Sequence, residues 1–352
     1  LWSLTLFAGT CMSRRKTMAT RWGCIGAGKI SNDFFIAIRL VLPKEDHQLV
    51  AVAARDQKRA QEFADKHGFS KAYGSYEEVA SDPDVEVVYI ATLHNSHAEL
   101  SLMMLNAGKH VVCEKPMAIN SKQQQQVFSL AQEKKLFFME AAWSRFFPVY
   151  EQIRKELANG TLGTVKLVQT RFCIPIFSVP RVNTLELAGG GLLDIGIYGV
   201  QFACLVFGDE KPEKITAEGC VTPEGVDECG IIILKYSGNR MASLLYHTNA
   251  GEGDNTASIL GQKGKIEVGA PFWCPSKVTT PTGDYEFTLP DDKGFNFRNS
   301  AGLAYEAKCA RECIRNGCTE CPEIPHRQSQ LMMAIMDEAR KQMGVVYPEE
   351  KI

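Results

Sequence analysis

The chain has 352 residues, with 39 Lys and Arg against 41 Asp and Glu and a formal net charge of −2. Hydrophobic residues make up 45% and charged residues 23%, which excludes a wholly disordered chain, a fibre and a coiled coil. The lack of a basic surplus argues against a nucleic-acid partner, and no uncharged apolar run approaches the roughly 18 residues that span a bilayer, so no membrane partner is expected.

Residues 1–17 carry a short apolar stretch, Leu4 to Ala8, ahead of Arg14-Arg15-Lys16, the reverse of a secretory signal. They read as a non-native or disordered leader before Met18, and a cytoplasmic location is expected. From Arg21, strands over 21–26, 48–53, 85–90, 110–113 and 136–139 alternate with helices that open near Lys29 and span 57–67, 97–107 and 122–133. This alternation predicts the α/β class, with a Rossmann dinucleotide-binding domain over residues 18–145 and a parallel sheet covered on both faces. Over residues 146–352 the texture changes to strands at 165–172, 214–220, 230–236, 241–248 and 265–268, after one apolar helix at 192–207. A second, α+β domain with a mostly antiparallel sheet is expected there, as the substrate domain. Helices over 305–315 and 328–343 close the chain, and the last is placed to pack back on the first domain.

Gly26-Ala27-Gly28-Lys29-Ile30-Ser31 joins the first strand to the first helix. In a dinucleotide fold, Gly26 makes the tight turn, Gly28 admits a pyrophosphate, and the helix start at Lys29 and Ile30 favours negative charge. Ser31 replaces the third glycine. The second strand ends Ala53-Ala54-Arg55-Asp56, where an NAD site carries an acid for the ribose 2′-hydroxyl. Arg55 suits a 2′-phosphate and an adenine face, and Asp56 suits a helix cap, so NADP is the expected cofactor. Two further loops lie at carboxyl ends of strands, where open α/β sheets bind ligands. One brings Thr92, His94 and His97 to the cofactor, although His97 can simply open its helix. The other brings Glu114 and Lys115, stiffened by Pro116.

Asp194 and Tyr198 stand at i,i+4 and would share one helix face. A tyrosine titrates near about 10, too high for a base at neutral pH, and a nearby ammonium lowers it. The expected roles are Tyr198 as general base, Lys115 as its electrostatic partner, and Asp194 as orienter of lysine or substrate hydroxyl. The plain alternative makes Tyr198 a core aromatic and Asp194 the helix's N-terminal charge.

Gly26-Ala-Gly28, Glu114-Lys115-Pro116 and Gly189-Gly-Gly-Leu-Leu-Asp194-Ile-Gly-Ile-Tyr198 together resemble the Gfo/Idh/MocA oxidoreductase family. The likeness runs over nearly the whole chain from Met18. It implies a Rossmann domain joined to an open-sheet domain through which members oligomerise. That family commonly carries Asp-x-x-x-His where this chain has Asp194 and Tyr198. The departure, with Ala53-Ala-Arg55-Asp56, Thr92-Leu-His94-Asn-Ser-His97 and Trp143-Ser-Arg145-Phe-Phe-Pro148, is similar to a branch of dimeric NADP-dependent members. Those oxidise trans-1,2-dihydrobenzene-1,2-diol to catechol and D-xylose to xylonolactone, so the resemblance implies both small-molecule substrates and a homodimer. Such a diol needs an apolar pocket, for which Trp143, Phe172 and Trp273 are the candidates, with core packing as their plain alternative. An aldose-only sugar dehydrogenase and a non-catalytic NADP-binding sensor are the competing readings. The joint presence of Lys115, Asp194 and Tyr198 argues against the sensor.

Twelve cysteines are too many to pass over, yet their spread along a long chain does not suit a disulfide scaffold. Cys309 and Cys313 stand at i,i+4, and Cys318 and Cys321 form a C-x-x-C. Only the four residues 314–317 separate the pairs, where a zinc ribbon has about 15–20, so free thiols and no metal are expected.

Overall fold

Short buried strands between helices build the first half of the chain. The computed structural model describes residues 18–291 and 293–350, so the leader assigned to residues 1–17 lies outside the described residues. Strands β1 (Thr20–Ile25), β2 (His47–Ala53), β3 (Lys71–Tyr73), β4 (Val87–Ile90), β5 (His110–Glu114) and β6 (Phe138–Ala141) form one parallel sheet. Its order is β3-β2-β1-β4-β5-β6. Val87–Ile90 and Phe138–Ala141 are buried at every position, as helices on both faces demand. Because β1 lies between β2 and β4, the chain reverses direction across the sheet there, and the carboxyl ends of β1 and β4 open a crevice. Helix Gln57–His67 starts on Asp56, whose carboxylate accepts from the N–H groups of Lys58 and Arg59, and stops at left-handed Gly68. β3 and helix Tyr76–Ser81 escape sequence reading because each is too short to show a period.

The second sheet contains β7 (Val165–Cys173), β8 (Lys214–Val221), β9 (Asp227–Tyr236), β10 (Arg240–His247), β11 (Ala257–Gly261), β12 (Lys265–Val268), β13 (Lys277–Thr280) and β14 (Gly283–Glu286). Its order is β14-β13-β12-β11-β7-β10-β9-β8, and only β7 and β10 pair in parallel. In β9, Ile232, Leu234 and Tyr236 point inward while Ile231 and Lys235 are exposed, the alternation of a sheet covered on one face. Helix Ile197–Phe207 covers that inner face. The stretch Leu185–Phe207 is long and apolar enough to cross a membrane by length and composition, although Glu186 and Asp194 interrupt it. It is mostly buried and packs inside the domain, so its apolarity is that of a core helix.

The last helices return to the first domain. On Leu303–Arg315, Arg311 donates to the Met18 carbonyl (2.7 Å) and Arg315 pairs with Glu86 (2.6 Å). His326–Met343 lies against both helix Ser121–Lys134 and β8.

A second tie sits beside the glycine turn. Buried Asp33, on helix Lys29–Val41, accepts from the N–H groups of Asn296 (2.9 Å) and Phe297 (2.9 Å) and from the Ser300 hydroxyl (2.7 Å). It thereby fastens residues 296–300 of the C-terminal half to the first helix of the Rossmann sheet. Asp33→Ala leaves those donors without an acceptor and is expected to lower unfolding stability by about 3 kcal/mol, with Asp33→Asn losing less. Urea titration of both variants against the parent checks this.

Candidate active site

The crevice between β1 and β4 has the shape for a dinucleotide diphosphate. Gly26 has φ +99°, and a Cβ on it would lie 2.7 Å from the Ala91 carbonyl oxygen, so only glycine lets the two strand ends meet. Gly28 opens helix Lys29–Val41 with no side-chain cap, and a Cβ there would have only the Ala91 carbonyl oxygen near it, at 3.9 Å. This leaves the helix's N-terminal dipole for an anion. Ser31 does not weaken the motif: its hydroxyl donates to the Gly26 carbonyl (2.5 Å) and braces the turn. Lys29 is exposed and Ile30 half-buried at this edge.

Arg55 is exposed just beyond β2. Arg59, which sequence reading missed, donates from Nε (3.2 Å) and Nη2 (2.9 Å) to the Ala27 carbonyl. Both guanidinium groups act on the Tyr76 hydroxyl, so two cations share this end of the crevice. Asp56 is occupied as a helix cap. The residues therefore fit a dinucleotide bearing a 2′-phosphate. Arg59 was legible only as the residue one turn beyond Arg55.

The two histidines tie loops together. His94 Nε2 donates to the Ala188 carbonyl (2.6 Å), bridging the loop after β4 to the second half of the chain. His97 Nδ1 lies 2.8 Å from the Pro116 carbonyl oxygen and Nε2 lies 3.2 Å from that of Thr92. Burial lowers the His97 pKa to about 4, against the pull of these two carbonyls. With both nitrogens against protein carbonyls, His97 holds the cofactor-side loops instead of offering an atom to the cofactor. Thr92 shares a hydrogen bond with Ser96 (2.8 Å). Glu114 is likewise turned away from the crevice: it accepts from the Tyr89 hydroxyl (2.5 Å) and the Lys115 N–H (3.2 Å). Burial raises its pKa, the nearby Glu140 charge adds to the rise, and Glu114 in turn raises that of buried Glu306.

Lys115, at the cis peptide to Pro116, sends Nζ to the Asp194 carbonyl oxygen (2.6 Å) and places it 4.8 Å from the centroid of the Tyr198 ring. Burial lowers its pKa against the pull of Asp194 and Glu114. Asp194 lies in a π turn, Leu192–Gly196, ahead of the α-helix that carries Tyr198. Its carboxylate charge still acts on Tyr198 and raises the phenol's pKa. That carboxylate pairs with Arg181 (3.1 Å), another residue sequence reading missed, since it lies in the four-residue helix Pro180–Asn183 outside any motif.

The Tyr198 hydroxyl accepts from Trp143 Nε1 (3.0 Å). Burial, then the charge of Glu114, hold the Tyr198 pKa well above the usual tyrosine value. The expected net lowering is not met: the Lys115 ammonium, bound to the Asp194 carbonyl and set over the ring, does not outweigh that burial. As it stands Tyr198 is a neutral phenol that can give a proton. The three aromatic candidates do converge on it. Phe172 stacks on Trp273 with centroids 3.6 Å apart, and their centroids lie 5.6 and 6.3 Å from that of Tyr198. Half-exposed Trp273 forms the outer wall, and its carbonyl accepts from the Ser144 hydroxyl. A small recess lined by Lys115, Ala142, Ser144, Ile197, Tyr198 and Gln201 lies behind them.

Comparison with known proteins bears on this geometry. The family model described as an oxidoreductase family with an NAD-binding Rossmann fold, GFO_IDH_MocA, matches residues 20–141, and that family's C-terminal domain matches residues 150–267. The chain is similar to the trans-1,2-dihydrobenzene-1,2-diol dehydrogenase of Danio rerio, 47% identical over 95% of this chain and 99% of that protein. The human enzyme of the same name is 46% identical over 95% of this chain and all of its own length. Among solved structures, a levoglucosan dehydrogenase with NADH and levoglucosan superposes with TM-score 0.80 at 19% identity, covering 93% of this chain and 98% of that one. A 3-ketoreductase from Actinomadura kijaniata with NADP superposes with TM-score 0.74 at 23% identity, covering 92% and 98%. At these identities the two structures share the fold.

Proposed function

From the premise that this chain belongs to the Gfo/Idh/MocA oxidoreductase family, we propose that it oxidises trans-1,2-dihydrobenzene-1,2-diol to catechol with NADP. The observation that carries this is the meeting of a phenol, an ammonium and three aromatic rings beside the dinucleotide crevice. NADP, when bound, takes the hydride from the carbon that bears the reacting hydroxyl. Gly26, Gly28 and the start of helix Lys29–Val41 hold its diphosphate, and Arg55 with Arg59 hold the 2′-phosphate. Phe172 and Trp273 pack the diol ring, and Tyr198 Oη takes the hydroxyl proton. It does so as the phenolate, which the Trp143 N–H and the Lys115 cation over the ring stabilise, and becomes the neutral phenol. The ketone product tautomerises to catechol. In the reverse direction the same phenol gives its proton back.

D-Xylose presents an equivalent hydroxyl at C1, and its oxidation to the lactone is the secondary activity in this reading. The stacked Phe172 and Trp273 favour the ring-bearing diol over an aldose-only enzyme. We assign a homodimer through the outer face of the second sheet, where Ile231 and Met241 are exposed and Ile231 lies opposite Leu245.

Initial rates of NADPH and NADH formation test the cofactor assignment. Arg55→Ala is expected to raise KM for NADP about tenfold while leaving NAD unchanged, and Arg59→Ala to add to it. Equal loss with both cofactors would remove the 2′-phosphate from this reading.

A further inference from the structure

The cysteine cluster near the C-terminus lies apart from the crevice and takes no part in the chemistry above. The short interval between its two pairs, which argued against metal in the sequence, does not keep them apart in space. Helix Leu303–Arg315 itself sets Cys309 and Cys313 one turn apart on one face, so no first knuckle is needed. Gly317, at φ +75°, then reverses the chain, with the Cys318 N–H bonded to the Cys313 carbonyl. A bridge between Cys321 and Ile324 closes the return. The Sγ atoms of Cys309, Cys313 and Cys321 all lie within 4.8 Å of one another, and those of Cys309 and Cys321 are 3.3 Å apart. One oxygen of Glu323 lies 3.2 Å from Cys309 Sγ and 3.1 Å from Cys321 Sγ.

We propose that Cys309, Cys313, Cys321 and Glu323 form a structural zinc site. Tetrahedral ligation at Zn–S of about 2.3 Å puts sulfurs about 3.8 Å apart, inside the 4.8 Å within which the three sulfurs already lie, while Glu323 touches two of the three. Thiolates select a soft or borderline cation over calcium or magnesium. Cys313 and Cys321 are buried. Binding displaces the thiol protons and places one dication among the sulfurs. Arg154 acts on Cys309, Cys321 and Glu323 and offsets the surplus negative charge of a three-thiolate, one-carboxylate set. Cys318 is exposed and is left as a bystander.

Such an ion would staple the helix to the segment that precedes His326. That segment already joins the Rossmann sheet, since the Thr319 carbonyl accepts from the Phe138 N–H at the edge of β6. β6 leads into the turn Trp143–Phe146, against which helix Leu303–Arg315 packs. The site is therefore a brace behind the aromatic wall.

The full chain, purified without added metal or chelator, is expected to carry about one zinc by mass-spectrometric metal analysis. Cys313→Ser should lose most of it, and Cys318→Ser should keep it. Cobalt added to metal-stripped protein should give thiolate charge-transfer and tetrahedral visible bands. Should Cys313→Ser not fold, the metal-stripped parent still answers: added zinc should shield three thiols from a thiol reagent and raise Tm. Unshielded thiols after zinc addition, or a Cys309–Cys321 disulfide in the purified chain, would overturn the site, and neither result bears on the dehydrogenase reading.

Discussion

Tyr198→Phe is expected to lower kcat for diol oxidation by about 10²–10⁴-fold while leaving the Kd for NADP unchanged, because it deletes one oxygen that receives the substrate proton. The Trp143 N–H loses its acceptor, but the ring keeps its place against Phe172 and Trp273, so unfolding stability should fall by only about 1 kcal/mol. The pH profile carries a further mark. Burial and Glu114 hold the phenol's pKa above its usual range, and oxidation needs the phenolate. Parent kcat/KM for oxidation should therefore climb with pH through the alkaline range, and the reverse reduction, which needs the phenol, should fall over the same interval. In Tyr198→Phe that slope should vanish. Steady-state rates with fluorescence titration of NADP separate the two effects.

Lys115→Met should be the second most damaging change. It removes the cation lying over the Tyr198 ring and the donor to the Asp194 carbonyl, with little change in side-chain volume. Loss of a preorganised charge facing developing anionic character lowers kcat by about 10²–10³-fold. The phenol loses its only cationic neighbour on that face, so the rise of activity with pH should move to still higher pH. Stability should change far less than activity, since burying the ammonium already costs desolvation, as its lowered pKa records. A collapse of Tm in this variant would instead make Lys115 a structural strut between the two halves.

The Rossmann half was largely legible because its signals are local. β1 ends on a glycine whose φ no other residue adopts easily, Asp56 caps the next helix as its position suggests, and strands such as β4 are buried throughout. The aromatic trio was legible only as a set of candidates, since nothing local tells a wall from a core residue. What stayed hidden depends on contacts far apart in the chain. Asp33 meets Asn296 across 263 residues, and Arg181 reaches Asp194 from a four-residue helix that no motif marks. The net effect on Tyr198 stayed hidden for the same reason: Lys115 does come to the tyrosine ring, but the burial that outweighs it is set by the whole fold, which no spacing rule reports. In the cysteine cluster, a reversal at Gly317 outweighs the interval that sequence arithmetic relies on.

The most direct measurement is substrate-dependent NADPH formation by the purified chain, with trans-1,2-dihydrobenzene-1,2-diol and D-xylose each offered with NADP and with NAD. The account predicts rapid diol turnover with NADP, slower xylose turnover, and little activity with NAD. Tight NADP binding with no turnover of either substrate would contradict it, and would make the phenol, the ammonium and the aromatic wall the interior of a non-catalytic NADP-binding protein.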